Sequence, residues 1–427
     1  MMNIPDSVNP RVVIIGGGFG GLSLFNQLKN KAFQVVLIDK HNYHNFQPLM
    51  YQVATSGLEA SSITYPIRKV MQDRKEAYFR MAMVEKIDTE NKKVVTDVGT
   101  IYYDYVVIAT GSENNFFGNA EVEKNSLVMK SIPQALKVRS ILLESFELAL
   151  QTNDVEKQKT LLNFVIVGGG PTGVELAGAL AEMKKAVFPK DYPDLDVINL
   201  MQINLIQGAD RVLDAMSEKS SEAAEKYLHN LGVVVHKNVR VTNYDGEMVE
   251  THDGQKFYSK SVIWSAGVKG NTVDGLAETV DRASRIKVNP HNQVEGFSDV
   301  FAIGDVAAMY GEKYQYGHPM MAQPAIQQGK LLAENLERLE QNKALKAFKY
   351  KDKGSMATIG RNKAVVDLPK SHFHGVFAWF IWMFIHLISL IGFKNKAIVL
   401  WSWIYNYFVF DRESRVIFRP YRTPNRE

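Results

Sequence analysis

RVVIIGGGFGGLSLFNQLKN, residues 11–30, decides the reading of this chain. Val12 to Ile15 is an apolar, β-branched run of strand length, the glycines stop it, and LSLFNQL then carries apolar residues at helical spacing. QVVLID at 34–39 is a second apolar strand, so the stretch predicts a strand, helix, strand unit with a parallel pair. Within GGGFGG, Gly16, Gly18 and Gly21 form GxGxxG, and Gly20 completes the turn. Glycines there permit a tight turn, close approach of backbone to a pyrophosphate, and close packing of helix on strand. Asp39 ends the second strand, where an acid accepts hydrogen bonds from a ribose diol. GxGxxG alone is also an ordinary glycine-rich turn. The strand, helix and acid at the expected distances make this one specific for a dinucleotide.

The scheme recurs. NFVIVG, GGPTG, a helix from about Val174 to Val187 and MQINLIQ fill 163–207, with Gly168, Gly170 and Gly173 as the second glycine set. Outside this unit stand ATG (Ala109, Thr110, Gly111), SAG (ending in Ala266 and Gly267) and FAIGDVA with Gly304 and Asp305. In two-dinucleotide flavoproteins an Asp after such a strand reaches the ribityl chain of FAD, and the ATG turn closes the cofactor domain. The order of motifs predicts an α/β fold of two Rossmann-like domains: a discontinuous FAD domain at 11–115 and 268–345, an NAD(P)H domain inserted at 116–267, and a C-terminal region at 346–427. Glu175 follows the second glycine set. As a carboxylate in the first helical turn it answers the helix dipole; in the functional reading it turns toward the nicotinamide and flavin, positioning the ring or relaying a proton. Gln207 occupies the position where an acid would hold the 2'-hydroxyl of NADH, and Arg211 is near enough to receive a 2'-phosphate, so the sequence leaves NADH and NADPH both open.

At 427 residues, with 46% apolar and 22% charged side chains, the chain has room for two globular cores and a remainder. It contains no cysteine, which excludes a disulfide framework, a thiolate metal site and electron transfer through a cysteine pair; no metal is expected. MMNIPDSVNP has no basic residue and no apolar run, which argues against a secretory signal and for a cytoplasmic body. The net charge of +4 sits entirely in residues 371–427, with seven Lys or Arg against three Asp or Glu. A neutral body with one basic end does not suit a nucleic-acid binder. That end is also apolar: GVFAWFIWMFIHLISLIGF, residues 375–393, has only His386 and Ser389 as polar side chains, and four of the five tryptophans lie between Trp379 and Trp403. Nineteen helical residues would cover about 28 Å, close to the roughly 30 Å of a bilayer core, so a spanning helix is geometrically allowed. The aromatics beside Lys394, Lys396 and later arginines, and the shorter IVLWSWIYNYF after them, favour a helical pair lying in the interface. A homodimer interface is the alternative cover for this surface.

With these residues in hand, the chain resembles the type II, single-subunit, non-pumping NADH:quinone oxidoreductases over nearly its whole length. The likeness rests on GGGFGG at 16–21, HNYHNFQPLMYQVATSG at 41–57, GGGPTGVELAGAL at 168–180, FAIGDVA, and AQPAIQQ, which fits an AQxxxQ element through Ala322, Gln323 and Gln327. The resemblance implies FAD and NADH as cofactors, a membrane quinone as acceptor, a peripheral place on the cytoplasmic face of the cell membrane, and Gln323 and Gln327 at the quinone head group. From the residues alone, amides at i and i+4 share one helix face and suit a quinone carbonyl. Gln207 departs from the family pattern and puts the nicotinamide preference in question. His372 and His374 precede the apolar run and read either as ordinary interfacial histidines or as neighbours of the quinone mouth, and His386 reads as packed or interfacial rather than catalytic. Sulfide:quinone oxidoreductases and disulfide reductases require cysteine and are excluded. A soluble ferredoxin or rubredoxin reductase would leave the apolar tail unexplained. A membrane-attached NAD(P)H sensor would turn over slowly.

Overall fold

A computed structural model describes residues 1–29 and 31–418. The helices that position the site are, in chain order, α1 (Phe19–Gln27), α2 (Met50–Ala54), α3 (Ile132–Leu150), α4 (Pro171–Ala186), α5 (Ala322–Glu340), α6 (Val376–Ser389) and α7 (Phe393–Val409). The chain forms two compact units, one of residues 1–44, 65–113 and 268–353, the other of 45–64, 114–267 and 354–427.

The first unit is built on a five-stranded parallel sheet, ordered Val300–Ala302, Tyr105–Ile108, Arg11–Ile15, Gln34–Asp39, Ala77–Met81. Its central strands are covered on both faces, which is why they read as unbroken apolar runs rather than alternating ones. Val13, Ile15, Val36, Ile38, Val106 and Ile108 enter one buried cluster with Val94, Ile286 and Val306. The other face carries α1 against α5, and their approach is so close that a Cβ on Gly329 would lie 2.6 Å from the Gly20 carbonyl oxygen.

The second unit repeats the order, with Leu127–Val128, Ser261–Trp264, Asn163–Val167, Gln202–Ile206, Val234–His236 in one parallel sheet. Val165, Val167, Ile206, Val262 and Trp264 form its core with Tyr244 and Val249 of a three-stranded antiparallel sheet. An antiparallel sheet of Ser355–Gly360, Lys363–Leu368 and Ser371–Gly375 follows and leads into α6. It packs on α4 through Gly178, where a Cβ would stand 2.2 Å from the Ile359 carbonyl oxygen.

The apolar run does not make one helix. α6 stops at Ser389, Leu390 takes extended backbone, Gly392 adopts φ 85°, and α7 begins at Phe393. At about 1.5 Å per residue the 14 residues of α6 reach about 21 Å, and among the described residues no helix is long and apolar enough to cross a membrane.

Candidate functional site

The two glycine turns have the same construction. Gly16 and Gly168 adopt φ 108° and 110°, and a Cβ on either would collide with the small-residue turn ending the neighbouring strand, the Ala109 carbonyl oxygen at 2.3 Å in one case and the Ala266 nitrogen at 2.7 Å in the other. This is the physical reason ATG and SAG accompany the motifs: a larger residue would push the turn off the sheet. Gly21 and Gly173 bring helix onto strand, each with a Cβ position 1.9 Å from the carbonyl oxygen of the motif's first glycine. Beside Gly18 and Gly170, in contrast, a Cβ would meet nothing within 4 Å. Neither α1 nor α4 has a side chain capping its N-terminus. Open space and uncapped N–H groups at a helix N-terminus fit the pyrophosphate of a dinucleotide in both units.

The residues ending the second strand of each unit are also equivalent. Asp39 Oδ2 accepts the Gly17 N–H at 2.6 Å and Oδ1 accepts the His41 N–H at 2.7 Å, which leaves a lone pair on each oxygen for a ribose diol. Gln207 Oε1 accepts the Gly169 N–H at 2.9 Å while its Nε2 donates to the Arg211 carbonyl at 3.2 Å. The strand register read from the sequence therefore holds, and Gln207 braces its glycine turn as Asp39 does, without a charge. Arg211 turns its guanidinium to the Asp214 carbonyl at 2.7 Å.

In the first unit, Ser112, directly after Gly111, donates to Asp305 Oδ2 at 2.8 Å, and Gln328 Oε1 accepts the Gly304 N–H at 2.7 Å. Sequence reasoning missed both residues, although Ser112 adjoins ATG and Gln328 follows Gln327. Thr110 Oγ1 donates to the Asn271 carbonyl. Ala322 is the first residue of α5, and no side chain caps that helix. Gln323 and Gln327 share a face of α5 as expected, and it is turned to residues 351–353: Gln327 pairs with both the N–H and the carbonyl of Lys351, and Gln323 Oε1 accepts the Lys353 N–H at 3.2 Å. Their amides serve the backbone of the segment that follows α5.

Glu175 requires a correction. Pro171 fits the first helical position and starts α4 there, so Glu175 is the fifth residue and outside the first turn; the dipole reading fails. The side chain is buried, and its Oε1 accepts the Thr358 N–H at 3.3 Å. Burial pushes its carboxyl up to about 8, against the opposing pull of the Thr358 N–H and the Trp382 indole. Glu175 is thus a neutral acid at pH 7. It lines a cavity of about 120 Å³ with Tyr51, Glu182, Trp382, Trp403 and Arg412. Glu182 and Arg412 form an ion pair at 3.2 Å, and Trp403 lies with its ring centre 5.7 Å from that of Trp382. Tyr51 and Trp382 lie in stretches quoted for the resemblance and the apolar end, and Thr358 in neither, and the sequence singles out none of them as a site residue because they come from three segments far apart in the chain.

His386 stacks on Trp382 at 4.1 Å, its Nδ1 lies 2.7 Å from the Trp382 carbonyl oxygen, and burial pulls its pKa down to about 4, so it stays neutral. His372 sits 2.8 Å from Asp367, and His374 lies 3.3 Å from the Tyr227 hydroxyl.

A pair of dinucleotide turns, each with its small-residue companion, and a polar cavity between buried aromatics define a flavoprotein oxidoreductase with two dinucleotide sites. Residues 10–329 match the pyridine nucleotide-disulphide oxidoreductase family, and residues 353–413 match the NDH2 C-terminal domain. The chain is 38% identical to the type II NADH:quinone oxidoreductase Ndh of Mycobacterium tuberculosis, over 92% of this chain and 87% of that protein. It is 31% identical to the type II NADH:quinone oxidoreductase of Haemophilus influenzae, over 84% of this chain and 86% of that one. It belongs to the type II NADH:quinone oxidoreductases, and its cofactors are FAD and NADH. The disulphide in the broader family's description does not carry over to a chain without cysteine. Among solved structures it is similar to NDH2 of Plasmodium falciparum in complex with NADH, with a TM-score of 0.88 and 22% identity, over 96% of this chain and all of that one. Similarity to the sulfide:quinone oxidoreductase of Aquifex aeolicus is lower, with a TM-score of 0.71 and 20% identity over 94% of this chain and 95% of that one.

Proposed function

We propose that this enzyme passes the electrons of NADH through FAD to a membrane quinone without pumping protons, and that the quinone head group is received in the cavity beside Glu175. The observation that carries the reading is the apolar, aromatic outer face of α6 and α7. Ala378 and Trp382, and Asn395, Val399 and Trp403, turn inward, and the polar Asn395 and Asn406 donate to the carbonyls of Thr64 and Gly57. Phe377, Phe380, Phe384, Ile388, Trp401, Ile404 and Phe408 are exposed. Helices whose outward faces are apolar and aromatic suit a lipid surface rather than water, and both helices line the cavity, through Trp379, Trp382, Trp403 and Asn406. Lys394 and Lys396 add attraction to anionic headgroups. The enzyme accordingly sits peripherally, on the cytoplasmic face of the cell membrane.

FAD supplies the relay between a two-electron donor and the quinone. Gly16, Gly18, Gly20, Gly21, Asp39, Ala109 to Gly111, Gly304, Asp305 and Ala322 would hold it, and Gly168, Gly170, Gly173, Gln207, Ala266 and Gly267 would hold NADH. This assignment makes 11–115 with 268–345 the FAD domain, 116–267 the NADH domain and 346–427 the membrane-facing region. Glu175, protonated at neutral pH, supplies a proton to the quinone oxygen, and α4 thereby serves both ends of the reaction, with the nicotinamide turn at its N-terminus and the acid one turn further on. Gln323 and Gln327 act by holding residues 351–353, near the start of the membrane-facing region.

Stopped-flow flavin bleaching by NADH and by NADPH, followed by reoxidation with a short-chain quinone, tests the reading. Rapid bleaching by NADH and rapid recovery with quinone are expected. Bleaching without recovery would move the enzyme to the soluble reductases or to a sensor.

A further inference from the structure

The cavity that Glu175 lines holds a second polar group whose proton has no acceptor among the described residues. Tyr51, on α2, is only 5% exposed, and its ring meets the Trp382 indole edge-on at 6.5 Å. Its hydroxyl oxygen accepts a hydrogen bond from Gln52 Nε2 at 2.9 Å. The direction of that bond is set from the far side. Trp403 Nε1, which can only donate, gives its hydrogen to Gln52 Oε1 at 2.9 Å. The amide must therefore show its oxygen to Trp403 and its NH2 group to Tyr51, and a phenol that accepts from Gln52 keeps its own hydrogen for another partner.

Among the described residues no partner takes it. Glu175, Glu182 and Arg412 act on the phenol only through space. Glu182 is engaged by the Arg361 N–H and by Arg412, whose other hydrogen bond goes to the Thr55 carbonyl. The direction that remains is the cavity.

We propose that Tyr51 donates a hydrogen bond to a carbonyl oxygen of the bound quinone and stabilises the negative charge that oxygen gains on reduction, with Gln52 and Trp403 as positioning residues that keep the phenol hydrogen aimed into the cavity. The proposal rests on the reading that this cavity receives the quinone. A donor fixed in place before the electrons arrive needs no reorganisation when charge develops, and burial away from water strengthens the bond. Tyr51 and Glu175 divide the work by pH. The carboxyl loses its proton near pH 8, whereas burial raises the phenol well above its ordinary value, so the Tyr51 contribution stays constant over the range in which that of Glu175 disappears.

The experiment uses the full-length, FAD-loaded enzyme with a short-chain ubiquinone as probe, and rates are taken per bound flavin. Tyr51→Phe removes one oxygen and keeps the ring on Trp382. Bleaching by NADH and reoxidation by ferricyanide, which takes single electrons at no hydrogen-bonded carbonyl, should be unchanged. Reoxidation by the quinone should slow roughly 10- to 100-fold, by the same factor from about pH 6 to about pH 9. Gln52→Glu leaves Tyr51 in place but swaps the NH2 group for an acceptor that draws the phenol hydrogen away from the cavity, and it should slow quinone reoxidation in the same selective way. Wild-type quinone rates in both variants would overturn the role of Tyr51. Quinone binding to the oxidised enzyme is followed separately by quenching of tryptophan fluorescence, since Trp379, Trp382 and Trp403 line the cavity. Absence of quenching would overturn the cavity itself as the quinone site, whereas normal quenching with normal reoxidation in the variants would remove only the Tyr51 inference.

Discussion

At the residue scale, Glu175 shows how a sequence motif acquires chemistry from a distant segment. Its carboxyl is raised to about 8 mainly by burial, which penalises the charged form. The acid form donates protons, so the quinone half-reaction should fall as pH rises through about 8, and Glu175→Gln should be slow and lack that fall. Stopped-flow reoxidation across pH checks this, and a profile unaltered by the substitution would count against the role. Stability carries a matching sign. The folded state holds this proton more tightly than the unfolded chain does, so stability declines as pH rises from about 4.5 toward 8 and is lowest above it. Thermal melts should accordingly show Glu175→Gln gaining on the wild type between pH 7 and about pH 9. Gln207 gives a second residue-scale prediction. Gln207→Glu keeps the acceptor for the Gly169 N–H and adds a charge that repels a 2'-phosphate, so the ratio of NADH to NADPH bleaching rates should rise roughly tenfold. An unchanged ratio would mean that specificity is decided elsewhere.

At the element scale, α4 was legible from GGGPTGVELAGAL, and so were the strands on either side of it, because a dinucleotide turn ties residue type to backbone shape within a few positions. What α4 packs against was not legible. Gly178 reads as one more small residue of that helix, yet it admits the backbone of the Ser355–Gly360 strand, the element that brings the Thr358 N–H to Glu175. Gly178→Ala would set a Cβ 2.2 Å from the Ile359 carbonyl oxygen, a backbone atom that cannot swing aside as a side chain would. A loss of about 1–3 kcal/mol is expected, measured by denaturant titration, together with slowed quinone reoxidation. A neutral result would show that the strand shifts freely on the helix. The single apolar run at 375–393 illustrates the limit from the other side. Hydropathy cannot see that Leu390 and Gly392 leave helical geometry, so the run divides into α6 and the start of α7.

At the scale of the whole molecule, the exposed aromatics of α6 and α7 should decide where the enzyme resides. Phe380 and Phe384 lie outside the cavity lining and are 55% and 62% exposed. The double variant Phe380→Glu, Phe384→Glu should keep NADH-to-ferricyanide activity while its binding to anionic lipid vesicles weakens more than tenfold, since burying a Phe contributes roughly 1.5–3 kcal/mol. Co-sedimentation measures this, and unweakened binding would point to a dimer as the cover for the surface. Raised salt should loosen the wild type in part by screening Lys394 and Lys396. The sequence by itself determined the two dinucleotide turns with their small-residue companions, the residues that end their second strands, the insertion of one motif set within the other, and the apolar, basic end. These features depend on neighbours a few residues apart or on composition. Only the tertiary structure decided that Glu175 is a buried acid, that Gln207, Gln323 and Gln327 bond backbone groups, that α7 turns its Asn395 and Asn406 amides to the protein while the outer faces of α6 and α7 stay apolar, and that Tyr51 keeps its hydrogen for the cavity. Each depends on a contact that no short motif encodes, from the 24 residues between Gln327 and Lys351 to the 351 between Gln52 and Trp403, where three-dimensional packing sets burial and hydrogen-bond direction.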